Sequence, residues 1–208
     1  MFKYPKTYHL TWSPGVTHDD KIISSLDNFI GKRVIVTEKL DGECTTITKG
    51  NIHARSMDSK DHVSRHWVKS QYGYLTYALR EPIKICGENV FAKHSIAYDN
   101  LIGFFYAFSL WDGTKCLSWD DTLAELAFLN IPHVPVIYDG LWDESYIRHI
   151  PLLNTEKGIM EGYVVRLADE FELIEFSNSV AKYVRPNHVQ TDEHWLYQPI
   201  IKNKLIGD

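Results

Sequence analysis

The chain is patterned mainly as short alternating or apolar runs bounded by turn residues, and such runs predict strands. Two of these runs, 33–37 and 44–48, flank Asp41-Gly42, and an Asp-Gly pair between alternating runs predicts a hairpin. The remaining predicted strands cover 50–56, 82–91, 103–111, 134–138, 160–166, 171–176 and 180–185. Gly87 lies within one of them, where a glycine permits a bulge or a close approach of another backbone.

Helical periodicity is restricted to a few segments. Apolar residues recur at helical spacing between 22 and 30, with Thr17 as the N-cap and Gly31 as the end, which predicts a helix. Ser118 precedes a second predicted helix over 122–129. A short helix is expected at 143–148, and a loop followed by a helix at 57–80. Because strands dominate without regular βαβ alternation, the pattern predicts an α+β fold of antiparallel β-sheets with flanking helices.

The composition narrows the class of protein. At 208 residues the chain has the length of one large domain or two small ones, and 44% hydrophobic with 24% charged residues is typical of a globular protein. The net charge of -5 argues against binding nucleic acid by overall charge and leaves a local basic groove open. The three cysteines show neither a close pair nor zinc-ligand spacing, which indicates reduced thiols. With no signal-like start and no run of ~20 apolar residues, a cytoplasmic protein without a membrane span is expected.

Lys39 stands between Glu38 and Asp41, where the first strand of the predicted hairpin ends. The residues allow two interpretations: Asp41-Gly42 simply makes the turn, or the strand and turn present a nucleophilic lysine on a rigid edge. A free lysine has a pKa near ~10.4, so a nucleophilic lysine needs burial or nearby cations that lower its pKa. Other functional side chains in β context are Glu88, Glu161, Lys182 and Arg185.

These stretches occur in an order that resembles the covalent nucleotidyltransferases, which comprise ATP-dependent RNA ligases, DNA ligases and mRNA capping enzymes. The segments 53–56, 87–98 and 161–166 look most like the RNA ligase family, and among its members like the small phage-type enzymes. The resemblance covers roughly residues 5–190. It implies a nucleotidyltransferase fold, an ATP-grasp-like ligase adenylation domain, in which residues 1–208 form a single domain with no separate C-terminal domain.

The resemblance implies a three-step reaction. Lys39 would attack the α-phosphate of ATP to give a lysyl-AMP, AMP would pass to an RNA 5′-phosphate, and a 3′-hydroxyl would displace AMP to form a phosphodiester. The implied cofactors are ATP and Mg²⁺, and the implied partner of the monomer is RNA with 3′-hydroxyl and 5′-phosphate ends, besides any accessory repair protein. A phage-encoded enzyme would act in the host cell cytoplasm. A DNA ligase of the same chemistry and a non-catalytic nucleotide- or RNA-binding module are the alternatives.

Individual residues also receive roles from the resemblance. Lys39, Asp41 and Lys182 are the expected catalytic residues, and Asp41 would orient the lysine, act through metal-bound water, or make the turn. Glu161 is the expected ligand of Mg²⁺, which prefers oxygen ligands. The residues expected to contact the nucleotide are Glu38, Lys39, Arg55, Glu88, Phe108, Tyr106, Glu161, Lys182 and Arg185.

Phe108 is the residue expected to stack on adenine, and Tyr106 is the alternative on the same strand face. Strand alternation predicts that Ser109 points to the opposite face.

The last motif departs from the family pattern. Lys182 matches the first lysine of the usual Lys-x-Lys, but Val184 stands at the second position. The second basic role would then fall to Arg185, Lys157 or Arg166. The basic residues expected to contact RNA are Lys3, Lys6, His9, Arg65, His66, Lys69, Lys202 and Lys204.

Overall fold

The computed structural model describes residues 2–154, 158–187 and 199–208. Its strands, in chain order, are β1 (Tyr8–His9), β2 (Arg33–Lys39), β3 (Glu43–Thr48), β4 (Asn51–Ala54), β5 (Ile83–Asn89), β6 (Phe105–Asp112), β7 (Lys115–Cys116), β8 (Val136–Leu141), β9 (Leu153–Asn154), β10 (Gly158–Ile159), β11 (Gly162–Leu167), β12 (Phe171–Glu172) and β13 (Val180–Val184). The α-helices are α1 (His66–Tyr72), α2 (Leu75–Ala78), α3 (Trp119–Phe128), α4 (Glu144–Arg148) and α5 (Phe176–Ser179). Single 3₁₀ turns cover Val63–Arg65 and Leu173–Glu175.

Two larger sheets organise the described residues. One has the strand order β1-β13-β11-β2-β8, and the other has the order β12-β7-β6-β5-β3-β4. Pairing is antiparallel throughout these sheets except between β1 and β13. The small pair β9-β10 is separate from both. This arrangement confirms the predicted α+β class with antiparallel sheets and flanking helices.

The helix predicted from 143 and the one predicted after Ser118 are both present. Asp143 caps α4 by accepting a hydrogen bond from the Tyr146 amide, and Ser118 caps α3 by accepting one from the Asp121 amide. Short polar side chains satisfy helix amides in this way, which is why these starts can be read from the sequence.

The helix predicted between Thr17 and Gly31 is wrong. Residues 17–30, all of which the structure describes, form turns and a single bridge between His9 and Ile22. The apolar residues do not share one face, because Ile22 is 49% and Ile30 62% exposed while Phe29 is fully buried. Tertiary hydrogen bonds of His9 to the backbone of 21 and 23 hold this segment beside β1 and replace the helical pattern.

The strand predicted over 171–176 is also corrected. Only Phe171 and Glu172 are extended, after which the chain turns into the 3₁₀ segment and then α5. A capping box between Glu172 and Glu175 fixes this change of direction, because each side chain accepts a hydrogen bond from the other residue's backbone.

A bulge interrupts β6 opposite Gly87. Cys86 pairs with Ser109 and Gly87 with Ala107, so Phe108 is an extra residue without a partner in β5. The bulge turns both Phe108 and Ser109 toward the same cavity. The predicted alternation is therefore wrong at Ser109, whereas the bulge or close approach expected at Gly87 is confirmed.

Gly162 allows β11 to approach β13 closely, since a Cβ atom at this position would overlap the Tyr183 carbonyl group. We expect Gly162→Ala to lower the free energy of unfolding by about 3 kcal/mol, the upper end of the usual cost of overpacking. Gly103→Ala is the matched control, because a Cβ there meets its nearest atom, in Trp67, at 3.4 Å. Urea unfolding of both variants tests the difference, and equal stabilities would contradict it.

Candidate active site

A cavity of about 290 Å³ lies between the two sheets. Its walls come from β2, β11 and β13 of one sheet, from β3, β5 and β6 of the other, and from residues 4–7. Its charged lining residues are Lys6, Glu38, Lys39, Arg55, Glu88, Arg166 and Lys182. Its aromatic lining residues are Tyr4, Phe108, Trp119, Phe171 and Phe176. The lining thus combines charged side chains with aromatic rings, which suits a ligand with a planar and an anionic part.

Lys39 ends β2 and contacts Glu161 directly. Lys39 pairs with Gly162 in β11, and this register brings the preceding Glu161 beside it, with 2.6 Å between Lys39 Nζ and Glu161 Oε2. The Glu161 side chain is 4% exposed and that of Lys39 is 25% exposed. The contact is therefore a charged hydrogen bond at the edge of a buried region, with the amine still open to the cavity.

The pKa of Lys39 is raised rather than lowered. Burial lowers it, but the opposing effects, of which the negative charge of Glu161 is the largest, outweigh burial. Burial and the neighbouring cations of the protein are therefore not sufficient to lower this pKa. Lys39 is held as an ammonium group, and loss of its proton requires a change in the charges around it.

Glu88 lies on β5, where its neighbour across the ladder is Cys44 in β3. Burial raises the pKa of Glu88 to about 8, and the positive charge of Lys39 only partly offsets this. At neutral pH the Glu88 carboxyl group is therefore protonated in most molecules. In that form it can donate a hydrogen bond as well as accept one.

Lys182 lies on β13 and faces the same side of its sheet as Lys39. It pairs with Val164 of β11, which in turn pairs with Thr37 of β2, two residues before Lys39. Burial lowers the pKa of Lys182, and the charge of Lys39 lowers it further. Asp20 acts in the opposite direction, with 3.7 Å between Lys182 Nζ and Asp20 Oδ1.

Of the two aromatic candidates for stacking, only Phe108 lines the cavity. The Tyr4 ring meets it edge-on, with 5.0 Å between ring centroids. Tyr106 lies instead in the apolar core, and its hydroxyl accepts a hydrogen bond from the Ile102 amide. The alternative assignment to Tyr106 is therefore not supported.

Glu38 and Arg55 lie in the lining as expected. Glu38 is buried, and its amide donates to the Pro135 carbonyl. Arg55 Nε donates to the Tyr4 carbonyl at 3.0 Å, which joins β4's end to the N-terminal segment.

Asp41 and Arg185 are absent from the described residues that line the cavity. One carboxylate oxygen of Asp41 accepts hydrogen bonds from the amides of Ser95 and Ile96, at 2.7 and 2.8 Å. The hairpin turn expected at Asp41-Gly42 is wrong, because β2 and β3 lie in different sheets, and Asp41 instead holds the backbone of residues 95–96. The guanidinium group of Arg185 donates to the carbonyls of Met160 and Pro186, and this geometry does not support its assignment to the nucleotide.

The sequence patterns did not place residues 4–7 at the cavity, giving Lys6 only as an RNA contact, and they gave Arg166 only as an alternative. Arg166 is buried, donates to the carbonyls of Leu117 and Leu167, and lies 5.5 Å from the Trp119 ring centroid. Strand alternation from Gly162 could have placed Arg166 on the cavity face. No local pattern marks residues 4–7, because they reach the cavity through tertiary contacts. Lys157 lies outside the described residues.

Some residues expected to contact RNA are buried, and others are accessible. Arg65 is wrong as a surface contact, because it is 3% exposed and pairs with Glu43 at 2.6 Å. His9 is likewise buried. His66 and Lys69 share Asp61 as an exposed partner. The remaining accessible candidates are Lys3, Lys202 and Lys204, while Lys6 lines the cavity.

Within the described part of the chain, no group of three or more His, Cys, Asp or Glu side chains could hold a metal ion. Mg²⁺ usually takes one or two carboxylates and completes its shell with phosphate oxygens and water. The buried carboxylate of Glu161 beside the cavity fits this requirement when a nucleotide supplies the phosphates. No helix among the described residues is both long and apolar enough to cross a membrane.

Fold and site together define a nucleotidyltransferase-type protein with a lysine at a strand end. The chain belongs to the RNA ligase family, whose model matches residues 32–184. No curated protein matches the chain.

Solved structures of an RNA ligase from Naegleria gruberi resemble this fold. A form without ligand matches with a TM-score of 0.59 and 18% identity, over 89% of this chain and 57% of that one. A form with pyrophosphate matches with a TM-score of 0.57 and 17% identity, over 89% and 58%. A lysine-to-alanine variant with ATP and Mn matches with a TM-score of 0.57 and 16% identity, over 89% of this chain and 58% of that one. This chain thus spans less than two thirds of those ligases, and the likeness concerns the fold.

Asp41→Ala should lower the free energy of unfolding by about 2 kcal/mol, because two backbone amides lose a charged acceptor. Asp41→Asn should cost less, since it keeps one acceptor oxygen. The exposed Asp99 offers a control, and Asp99→Ala should stay within about 0.5 kcal/mol of the wild type. Urea unfolding measures all three, and an Asp41→Ala protein as stable as the Asp99→Ala protein would refute the structural role.

Glu88 should make stability fall as pH rises. Its pKa is about 8 in the folded protein and has an ordinary value of 4.5, so between these pH values the folded state holds a proton that the unfolded state has lost. The contribution of Glu88 to the free energy of unfolding is therefore fully present below pH 4.5 and is lost as pH rises to about 8. Glu88→Gln should flatten this decrease, measured by urea unfolding from pH 5 to 8, whereas Glu125→Gln on the exposed face of α3 should not.

Proposed function

We propose that the chain is an ATP-dependent RNA ligase with Lys39 as its nucleophile, and that its described residues belong to one adenylation domain. The observation that supports this most strongly is the convergence of Lys39, Glu88 and Lys182 on one cavity, with Glu161 in direct contact with Lys39. These residues come from four separate stretches, and each acts on the charge of another. The family membership supports RNA rather than DNA as the substrate.

In the first step Lys39 reacts with ATP. The ammonium group loses its proton to water, while Glu161, at 2.6 Å, holds the amine in place. The neutral amine attacks the α-phosphorus, an N–P bond forms, and the P–O bond to the β-phosphate breaks. Pyrophosphate leaves with the electron pair. Mg²⁺ held by Glu161, phosphate oxygens and water would neutralise phosphate charge and relieve the negative field that keeps Lys39 protonated.

The surrounding residues orient the nucleotide. Phe108 offers its ring to the adenine, and the protonated Glu88 can hydrogen-bond a ribose hydroxyl. Lys182, on the same sheet face as Lys39, contacts the α-phosphate and stabilises the charge that develops on it.

Two further steps complete the ligation. An oxygen of the RNA 5′-phosphate attacks the AMP phosphorus, the P–N bond breaks, and Lys39 recovers its electron pair and a proton. The 3′-hydroxyl oxygen then attacks the RNA 5′-phosphorus and gives its proton to water, the P–O bond to AMP breaks, AMP leaves with the electron pair, and the phosphodiester forms. The amine is thereby returned to its starting state, as covalent catalysis requires.

The test is adduct formation. The protein is first treated with pyrophosphate to remove any bound AMP, then given ATP and Mg²⁺, and examined by intact and peptide mass spectrometry. We expect one AMP on Lys39 in the wild type, none in Lys39→Met, and an unchanged yield in Lys21→Met, whose lysine is exposed and outside the cavity.

Substrate choice is tested with the same preparation. Nicked or broken RNA should be joined, and the matched DNA should be joined more slowly. Joining of DNA alone would favour the DNA ligase alternative. Absence of an adduct with ATP, GTP or NAD would contradict the ligase and leave a non-catalytic binding module.

A further inference from the structure

Strand β13 supplies one lysine to the cavity where the family pattern has two. Val184, at the second position, is buried, and its amide donates to the Ser13 hydroxyl. The guanidinium group of Arg185 is bonded to backbone carbonyls away from the cavity. A phosphate held only by Lys182 would lack the second positive charge expected from this strand.

We propose that Lys6 supplies the second phosphate-binding cation, and that Asp20 positions it beside Lys182. Lys6 lines the cavity, and its Nζ lies 3.4 Å from Asp20 Oδ1. Lys182 Nζ lies 3.7 Å from the same oxygen. The two ammonium groups are therefore neighbours, although they come from opposite ends of the chain. This assignment rests on the proposed function.

The segment that carries Lys6 is fixed at several points. Before it, the Lys84 ammonium lies 3.3 Å from the Phe2 ring centroid, and Arg55 donates to the Tyr4 carbonyl. After it, β1 pairs with β13, with His9 beside Lys182. Lys6 Nζ also donates to the Asp19 carbonyl at 2.7 Å. A lysine held in this way loses less conformational freedom when it binds a ligand.

The cluster holds two cations and two anions. Burial raises the pKa of Asp20, but hydrogen bonds from Thr17 and the charge of Lys182 hold it well below its usual range. Asp20 is thus an anion between two cations, and the Asp19 carboxylate lies 3.5 Å from Lys6 Nζ, so the four side chains balance in charge. His9 adds no charge at neutral pH, because burial and Lys182 lower its pKa to about 4.

The position of the Asp20 oxygen between two amines resembles that of a phosphate oxygen. A phosphate on the cavity side can accept hydrogen bonds from the same two amines, since each ammonium group has three donors. An uncharged nucleoside has no group that needs these donors. Lys6 should therefore contribute to the binding of AMP and ATP and be indifferent to adenosine.

Binding is measured in a Lys39→Ala background, in which no adduct can form. Calorimetry compares adenosine, AMP and ATP with this parent and with added Lys6→Met, Lys6→Arg or Lys21→Met. We expect Lys6→Met to raise the Kd of AMP and ATP about tenfold, which is about 1.4 kcal/mol, and to leave adenosine unchanged. Lys6→Arg should restore most of the affinity, and Lys21→Met should match the parent.

Unchanged AMP and ATP affinities in Lys6→Met would overturn the assignment. Equal weakening of adenosine and AMP would overturn it too, because it would indicate a purely structural role, as would a parent that binds no adenylate. Failure of the proposed function is a separate result, namely no AMP adduct on Lys39 in the chain without substitutions.

Discussion

The ion pair between Lys39 and Glu161 is the interaction on which the rest of the site depends. It joins the end of β2 to the start of β11 across a 2.6 Å contact. Its partners are unequally exposed, so the glutamate loses water while the amine keeps access to the cavity. The same pair keeps Lys39 protonated, since the opposing effects led by the charge of Glu161 outweigh the effect of burial. The pair thus fixes the Lys39 amine and holds it as an ammonium group, which is the unreactive form of a lysine.

The strand next to this pair is closely packed on its other side. Gly162 follows Glu161 directly and has no room for a Cβ atom against Tyr183 of β13. The register of β13 and β2 against β11 places Lys182 on the same face as Lys39. Gly162 thus permits the close packing of β11 against β13, while the adjacent Glu161 supplies the charge beside Lys39.

Local sequence signals were sufficient to predict elements that depend on contacts between residues close in the chain. Ser118 and Asp143 cap helices through their own side chains. The residues on either side of Asp41-Gly42 form the predicted strands but not the predicted hairpin, because β2 and β3 pair with other strands in different sheets. The bulge at Phe108 could not be placed from alternation alone, because the extra residue is defined only by the pairing of β6 with β5. Arginine is usually exposed, which favoured Arg65 as a surface contact. In the fold it is buried and forms an ion pair with Glu43.

The helix predicted from Thr17 to Gly31 is wrong, and Asp20 within that segment contacts both lysines of the proposed phosphate site. Thr17 and Asp20 have the types that begin a helix, and this led to the helix expected up to Gly31. In the folded protein Thr17 bonds to the Asp20 carboxylate, and Asp20 contacts Lys6 and Lys182. Asp20 Oδ2 also accepts a hydrogen bond from the Thr17 amide at 3.2 Å, so the capping contact forms although no helix follows it. A capping pattern therefore predicts the local turn, whereas the path of the chain after Asp20 depends on tertiary contacts with residues distant in the sequence.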